Sequence, residues 1–298
     1  MKTLVIRLGA IGDLVFISPV LRGLKERGDW VGLVCKKHGR AIFHGSGLVD
    51  RLHLWTKEDE EAARAQGGPT GIVEAAWTRA KEAYAAGYER VIILDDVIEN
   101  HYLWSTRRPQ VVARSGQGAW VRLVEDHSPW QRGERKFRYD NYYQVLLEAA
   151  DLQGADPRPV WRVLDHERRW AAKFKRRHGL TGHRLAVFQL TGSGANKAWP
   201  YWPVLASALL KEDSDLRIVT LGVQADQVLE WDWADRDSRI VNLASRQTVV
   251  KGGFKNAWDR IRREVALIGA AELFVGPDSS TLHCAGPLAT PKIALMTI

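Results

Sequence analysis

Asp13 closes a glycine-punctuated turn, Gly9-Ala10-Ile11-Gly12-Asp13, that follows an apolar run through Leu4, Val5, Ile6 and Leu8, and it stands where a helix N-cap belongs. A carboxylate at such a turn can take a proton from a hydroxyl, and it would repel a phosphate. The glycine spacing lacks the G-x-G-x-x-G of dinucleotide sites, and no Lys-Ser or Lys-Thr follows as a P-loop requires. The next apolar run, Trp30 to Cys35, ends in Lys36 and Lys37, where a dinucleotide enzyme usually offers an acid to the ribose. Asp95 and Asp96 end a third run, V-I-I-L over 91–94. They are candidates for the same crevice as Asp13, or for a helix cap beside a solvated acid.

The second half carries the complementary chemistry. T-G-S-G-A-N-K, from Thr191 to Lys197, places Thr191, Ser193 and two glycines where the backbone can approach phosphate oxygens, and Lys197 adds a point charge. Gly222 follows another apolar run. Near the end, G-P-D-S-S-T-L-H spans Gly276 to His283. Asp278 is expected to cap a helix there, with the backbone N–H groups of Ser279, Ser280 and Thr281 forming an anion site.

These residues need strand ends and helix starts to hold them. The runs at 4–8, 30–35, 48–55, 90–94, 185–190, 216–221, 240–243, 272–276 and 291–297 read as strands, many with β-branched members suited to a buried parallel sheet. A helical stripe at 14–27 should bend or break at Pro19, and Pro200 is a plausible first helical residue. An Ala-rich helical pattern covers 57–87, a basic helix is expected over 166–178 and another helix over 256–270. Residues 114–138 interleave arginines with Trp120, Trp130 and Phe137, which suits an anionic ligand or a solvated excursion with a short strand at 121–125. G-A-D-P-R-P over 154–159 is the linker, so the expected domains are 1–157 and 158–298. Alternation of strand and helix in both halves gives an α/β protein of two Rossmann-like domains.

With 298 residues, 45% hydrophobic and 26% charged, the chain is a folded protein rather than a disordered one. No apolar run approaches the ~20 residues of a membrane span, no signal peptide precedes the first strand, and Cys35 and Cys284 stand apart without a metal motif. A reduced cytoplasmic protein is the expectation. A net charge of +8 implies anionic partners, and thirteen tryptophans could serve core, sugar platform or interface.

The motifs together resemble glycosyltransferase family 9, whose best-known members are ADP-heptose:lipopolysaccharide heptosyltransferases. V-I-R-L-G-A-I-G-D-L-V with Pro19-Val20-Leu21 is similar to the family's N-terminal signature, K-A-W-P over Lys197–Pro200 to its phosphate-contacting turn, and Gly276–His283 to its donor-binding motif. The resemblance implies a GT-B architecture, two facing Rossmann-like domains with a central cleft, and inverting transfer without cofactor or metal. It implies Asp13 as catalytic base; Thr191, Ser193, Lys197, Gly222, Asp278, Ser279, Ser280 and His283 on the donor side; and Gly9, Gly12, Asp95 and Asp96 on the acceptor side. The implied partners are a nucleotide-sugar donor and an anionic glycan or lipid-linked acceptor, with peripheral contact at the inner membrane face and without nucleic acid. Ser280 replaces the usual glycine, Pro287 should shorten the last helix, and the chain stops at Ile298, before the family's final helix. Two other expectations stand beside this one: a basic protein that binds nucleic acid or an acidic surface, and an inactive nucleotide-binding relative.

Overall fold

The computed structural model describes residues 1–56, 58–59, 61–62, 65, 87–94, 120–123, 142–192, 197–222, 232–244 and 257–296. Most of the Ala-rich pattern over 57–87 and most of 114–138 lie outside them. The chain divides into two compact units, Met1–Val160 and Trp161–Ile298.

In the first unit the strands are β1 (Lys2–Ile6), β2 (Trp30–Lys36), β3 (Arg51–Trp55), β4 (Arg90–Ile93) and β5 (Trp120–Leu123). They form one sheet in the order β3-β2-β1-β4-β5, with every neighbouring pair parallel. The helices are α1 (Ile11–Phe16), α2 (Ser18–Glu26), α3 (Gly39–Phe43) and α4 (Tyr142–Ala149). The break between α1 and α2 falls where Pro19 occupies the first turn of the second helix, a position that costs no hydrogen bond. Leu4, Val5 and Ile6 are fully buried, as a central strand covered on both faces requires.

The second unit repeats the plan. After α5 (Asp165–Arg177) come β6 (Arg184–Gln189), α6 (Trp202–Glu212), β7 (Leu216–Leu221), β8 (Ile240–Asn242), α7 (Ala257–Ile268), β9 (Leu273–Pro277), α8 (Ser280–Ala285) and β10 (Lys292–Leu295). The sheet order is β10-β9-β6-β7-β8, again all parallel. Counted within its own unit, each sheet therefore runs 5-4-1-2-3 or its reverse. The two-residue period of β6 separates two cores. Leu185 and Val187 join Val219, Leu267, Ile268 and Phe274 on one face, while Ala186, Phe188 and Leu190 join Trp202, Ala206 and Ile218 on the other. Burying a side chain such as Phe188 contributes about 1.5–3 kcal/mol.

Charged groups anchor the edges of these layers. Arg90, buried on β4, donates to the Ala150 carbonyl at 2.7 Å and so ties the end of α4 to the sheet. Residues 156–160 stay with the first unit: the Val160 N–H donates to Ser18 Oγ at 2.8 Å, and Arg22 pairs with Asp156 at 3.2 Å. In the second unit Arg262 makes a buried, two-point contact with Glu167 at 2.6 and 2.7 Å, which joins α7 to α5. No helix among the described residues is long and apolar enough to cross a membrane.

Candidate functional site

Parallel sheets bind ligands at the carboxyl ends of their strands, where the strand order reverses direction. In the first unit that switch point lies between β1 and β4, and in the second between β6 and β9. The turns singled out by chemistry leave three of these four strands, β1, β6 and β9; the fourth, β4, leads to Leu94 and the paired acids.

Beyond β1, Arg7 is 1% exposed, and a charge so deeply buried needs strong partners. Its Nη1 donates to the carbonyl of Leu94, the residue after β4, and its Nη2 lies 3.4 Å from Asp13 Oδ1. The other oxygen, Asp13 Oδ2, accepts the Ala10 backbone N–H at 2.6 Å. Asp13 is thus the third residue of α1, reaching back to Ala10, which holds the cap position that the sequence assigned to Asp13 itself. The reason is local: the chain is extended at Ala10 and helical from Ile11, so the acid falls one turn in and completes the reciprocal half of a capping box. Gly9 is dictated by this arrangement, because a Cβ there would stand 2.5 Å from Asp13 Oδ2. Gly12 is buried inside α1. His38 Nε2 lies 3.0 Å from the Gly9 carbonyl, and burial pushes its pKa down, so the neutral ring with its proton on Nε2 suits this contact. The Asp13 side chain remains 32% exposed, open enough to meet a hydroxyl.

At the second switch point, Lys197 Nζ donates to Asp278 Oδ2 at 2.6 Å, and His283 Nε2 lies 3.1 Å from Asp278 Oδ1. The hydrogen bond from Lys197, with the charges of Lys197 and His283, holds the Asp278 carboxyl below the usual carboxylate range. Gly192 lets the lysine stem lie against the turn, since a Cβ there would come within 2.8 Å of Lys197 Cδ and 3.0 Å of the Asp278 carbonyl. Thr191 is buried at the end of β6, where its carbonyl accepts the Gln189 side-chain amide at 2.8 Å. The expected cap is displaced at this site as well, this time by one residue. Ser279 caps α8, its hydroxyl accepting from the Leu282 N–H at 3.3 Å, while Asp278 turns to the lysine. Ser280 is the first residue of a six-residue helix, too short to supply much of a dipole, so the helix start adds little to the positive charge that Lys197 brings.

The structure brings together Lys197, Asp278 and His283, and separately Gly9, Gly12 and Asp13. Gly222 follows β7, with a positive φ of 151°, and its carbonyl accepts from Arg260, itself paired with Glu264 at 2.6 Å. Asp95, Asp96 and Ser193 lie outside the described residues. Pro200 precedes the helix it was expected to open; α6 begins at Trp202, whose indole donates to the Leu190 carbonyl at 3.0 Å, and Pro203 takes the early helical position instead. Sequence reasoning passed over Arg7, Gln189 and Arg260. Arg7 had a visible signal, a cation inside an apolar run. Of the basic helix α5, Arg168 is paired with Asp165 at 2.7 Å and Lys175 donates to the Ala270 carbonyl, so part of its charge is used within the fold. Among the described residues no group of three or more His, Cys, Asp and Glu could hold a metal ion.

A family model, glycosyltransferase family 9 (heptosyltransferase), matches residues 79–297, well over half of the chain. The chain belongs to glycosyltransferase family 9. The matched segment of this glycosyltransferase contains Lys197, Asp278 and His283, and it begins after Asp13. Among solved structures the chain is similar to a glycosyl transferase family 9 protein from Veillonella parvula, with 17% identity, 100% of this chain and 87% of that one covered, and a TM-score of 0.68. It is also similar to E. coli ADP-heptose lps heptosyltransferase II, with 17% identity, 99% and 84% covered, and a TM-score of 0.60. A third similar structure is E. coli heptosyltransferase WaaC with ADP-2-deoxy-2-fluoro heptose, at 16% identity, 99% and 88% covered, and a TM-score of 0.57. These likenesses show the fold, two parallel-sheet Rossmann-like units of the GT-B class. Comparison with curated protein sequences finds no match.

Proposed function

We propose that this family 9 glycosyltransferase transfers heptose, with inversion, from ADP-heptose to a hydroxyl of a lipopolysaccharide-core or similar anionic glycan. The observation that carries the donor side is the Lys197–Asp278–His283 constellation at the switch point of the second unit, inside the segment matched by the family. The ligand in the WaaC structure, ADP-2-deoxy-2-fluoro heptose, supports the same choice of donor.

On this reading Asp13 takes the proton of the acceptor hydroxyl while that oxygen attacks the anomeric carbon. The bond from the anomeric carbon to the donor phosphate oxygen breaks, and the diphosphate leaves with the bonding electron pair. Lys197 stabilises the charge that gathers on it. Thr191, Ser193, Gly222 and the Ser279–Ser280 turn complete the donor side, and Gly9, Gly12, Asp95 and Asp96 belong to the acceptor side. The reaction as written needs neither cofactor nor metal. A net charge of +8 suits an anionic, lipid-linked acceptor reached by peripheral contact with the cytoplasmic face of the inner membrane.

Thermal-shift measurements with ADP-, GDP-, UDP- and dTDP-sugars test the donor, because a ligand of the folded state alone raises the melting temperature. ADP-heptose is expected to give the largest shift, and no shift with any of them would refute the reading. A transfer assay on Asp13→Ala then tests the base.

A further inference from the structure

We propose that Asp278 is a built-in competitor for the donor's diphosphate, occupying Lys197 when the site is empty and weakening its hold on the nucleoside diphosphate that transfer releases. The inference rests on the donor reading above and concerns the regulation of that same site.

Both oxygens of Asp278 are engaged by cationic or hydrogen-bonding groups of the site, Oδ2 by Lys197 Nζ at 2.6 Å and Oδ1 by His283 Nε2 at 3.1 Å. The lysine is therefore not idle, and a phosphate must take over its amine from a carboxylate. A phosphate bound to the amine where it stands would lie beside Asp278, because Nζ is 2.6 Å from Oδ2. Like charges held within a few ångströms of one another repel. The side chains of Lys197 and Asp278 are 25% and 35% exposed, so the pair is open to exchange rather than locked in the core.

The chemistry of transfer gives this competition a direction. In a nucleotide sugar the outer phosphate is esterified and carries one negative charge. Once the sugar leaves, the same phosphate is terminal, and its second ionisation, with a pKa of about 6, brings its charge to nearly two. A fixed carboxylate beside Lys197 thus disfavours the product more than the donor. The pair assists release of the diphosphate without any movement of the fold.

Titration calorimetry with ADP, GDP, UDP and dTDP, and with the glucose ester of whichever diphosphate binds, tests this on the full chain and on Asp278→Asn, Asp278→Ser, Lys197→Met and the Asp278→Asn/Lys197→Met pair. Removing the charge by either Asp278 variant should tighten the diphosphate roughly three- to tenfold. The glucose ester should gain less, and the gain should vanish without Lys197. Circular dichroism establishes that each variant is folded, and the two Asp278 variants guard against a failure peculiar to one. Unchanged or weaker diphosphate binding in the folded variants, an equal gain for the ester, or a gain that persists without Lys197 would each overturn the proposal. If wild type and variants bind none of the four diphosphates, the donor reading itself falls, and the proposal with it.

Discussion

The turn after β1 and the turn after β6 hold the same place in two sheets of one strand order, yet their charges are inverted. In the first unit a buried cation stands behind an accessible acid: Arg7 is anchored on the Leu94 carbonyl, and Asp13 is held between Arg7 and the Ala10 N–H. In the second unit the cation itself is presented, and the acid opposite it, Asp278, is its exchangeable partner. The topology supplies the location, and the residues of the turn decide which charge the location presents. On the proposed reading, the guanidinium tied to backbone orients an acid for proton transfer, and the ammonium on its long stem meets the leaving phosphate.

If that contrast holds, Asp13→Ala should do the greatest damage to turnover, lowering kcat by roughly 10²- to 10⁴-fold with nucleotide affinity and melting temperature preserved. Loss of nucleotide binding in that variant would erase the distinction between the two turns. Arg7→Met comes next. It removes the donor from the Leu94 carbonyl, at a cost of about 1–3 kcal/mol in denaturant unfolding. It should also cut kcat about tenfold or more, with the donor KM unaltered and Arg7→Lys restoring part of the rate. A normal kcat in a folded Arg7→Met protein would show that the acid needs no fixed cation.

Lys197→Met sharpens the other side. A charge-assisted hydrogen bond to phosphate is worth about 1.5–3 kcal/mol, so the donor Kd should rise by about tenfold or more. Gly9→Ala would set its Cβ 2.5 Å from Asp13 Oδ2 and 2.7 Å from Asp13 Cβ, which rotation of the carboxylate alone does not relieve, so the turn itself must shift; a kcat at least several-fold lower with unchanged donor affinity is expected in a transfer assay. The smallest effect concerns pH. The Asp278 pKa in the folded protein is depressed, so its contribution to stability is present above the ordinary carboxylate value of 3.8 and is lost as pH falls through the lowered one. Acid unfolding of Asp278→Asn should lack that increment, which solvent screening keeps below about 1 kcal/mol. Identical acid-unfolding curves for the two proteins would mean the pair adds nothing to the empty site.

Much of the fold was readable residue by residue. The runs Leu4–Ile6, Val31–Cys35 and Leu185–Gln189 are buried strands because parallel sheets covered on both faces demand continuous apolar sequence. The cap positions were less readable. An acid near a helix start is consistent with the cap itself or with the third helical residue, and the backbone angle at the strand exit settles which. At Asp13 the helix begins earlier than the acid, and at Asp278 a lysine competes for the carboxylate, so Ser279 takes the cap. Arg7 escaped because a linear pattern counts it as one polar interruption of an apolar run, although its partner carbonyl lies 87 residues on.

The amino-acid sequence alone determined the local pieces: alternation of strand and helix, a glycine turn ending in an acid, and a glycine turn ending in a lysine. These follow from interactions over a few residues, where side-chain period and backbone freedom act directly. Only the tertiary structure decided which pieces meet. Lys197 and Asp278 are 81 residues apart and touch because β9 pairs with β6 on the side opposite β7. Arg7 reaches Leu94 because β4 lies beside β1. Strand order is chosen by how whole faces of the sheet are buried, so contacts at its carboxyl edge are a property of the sheet and not of any one segment.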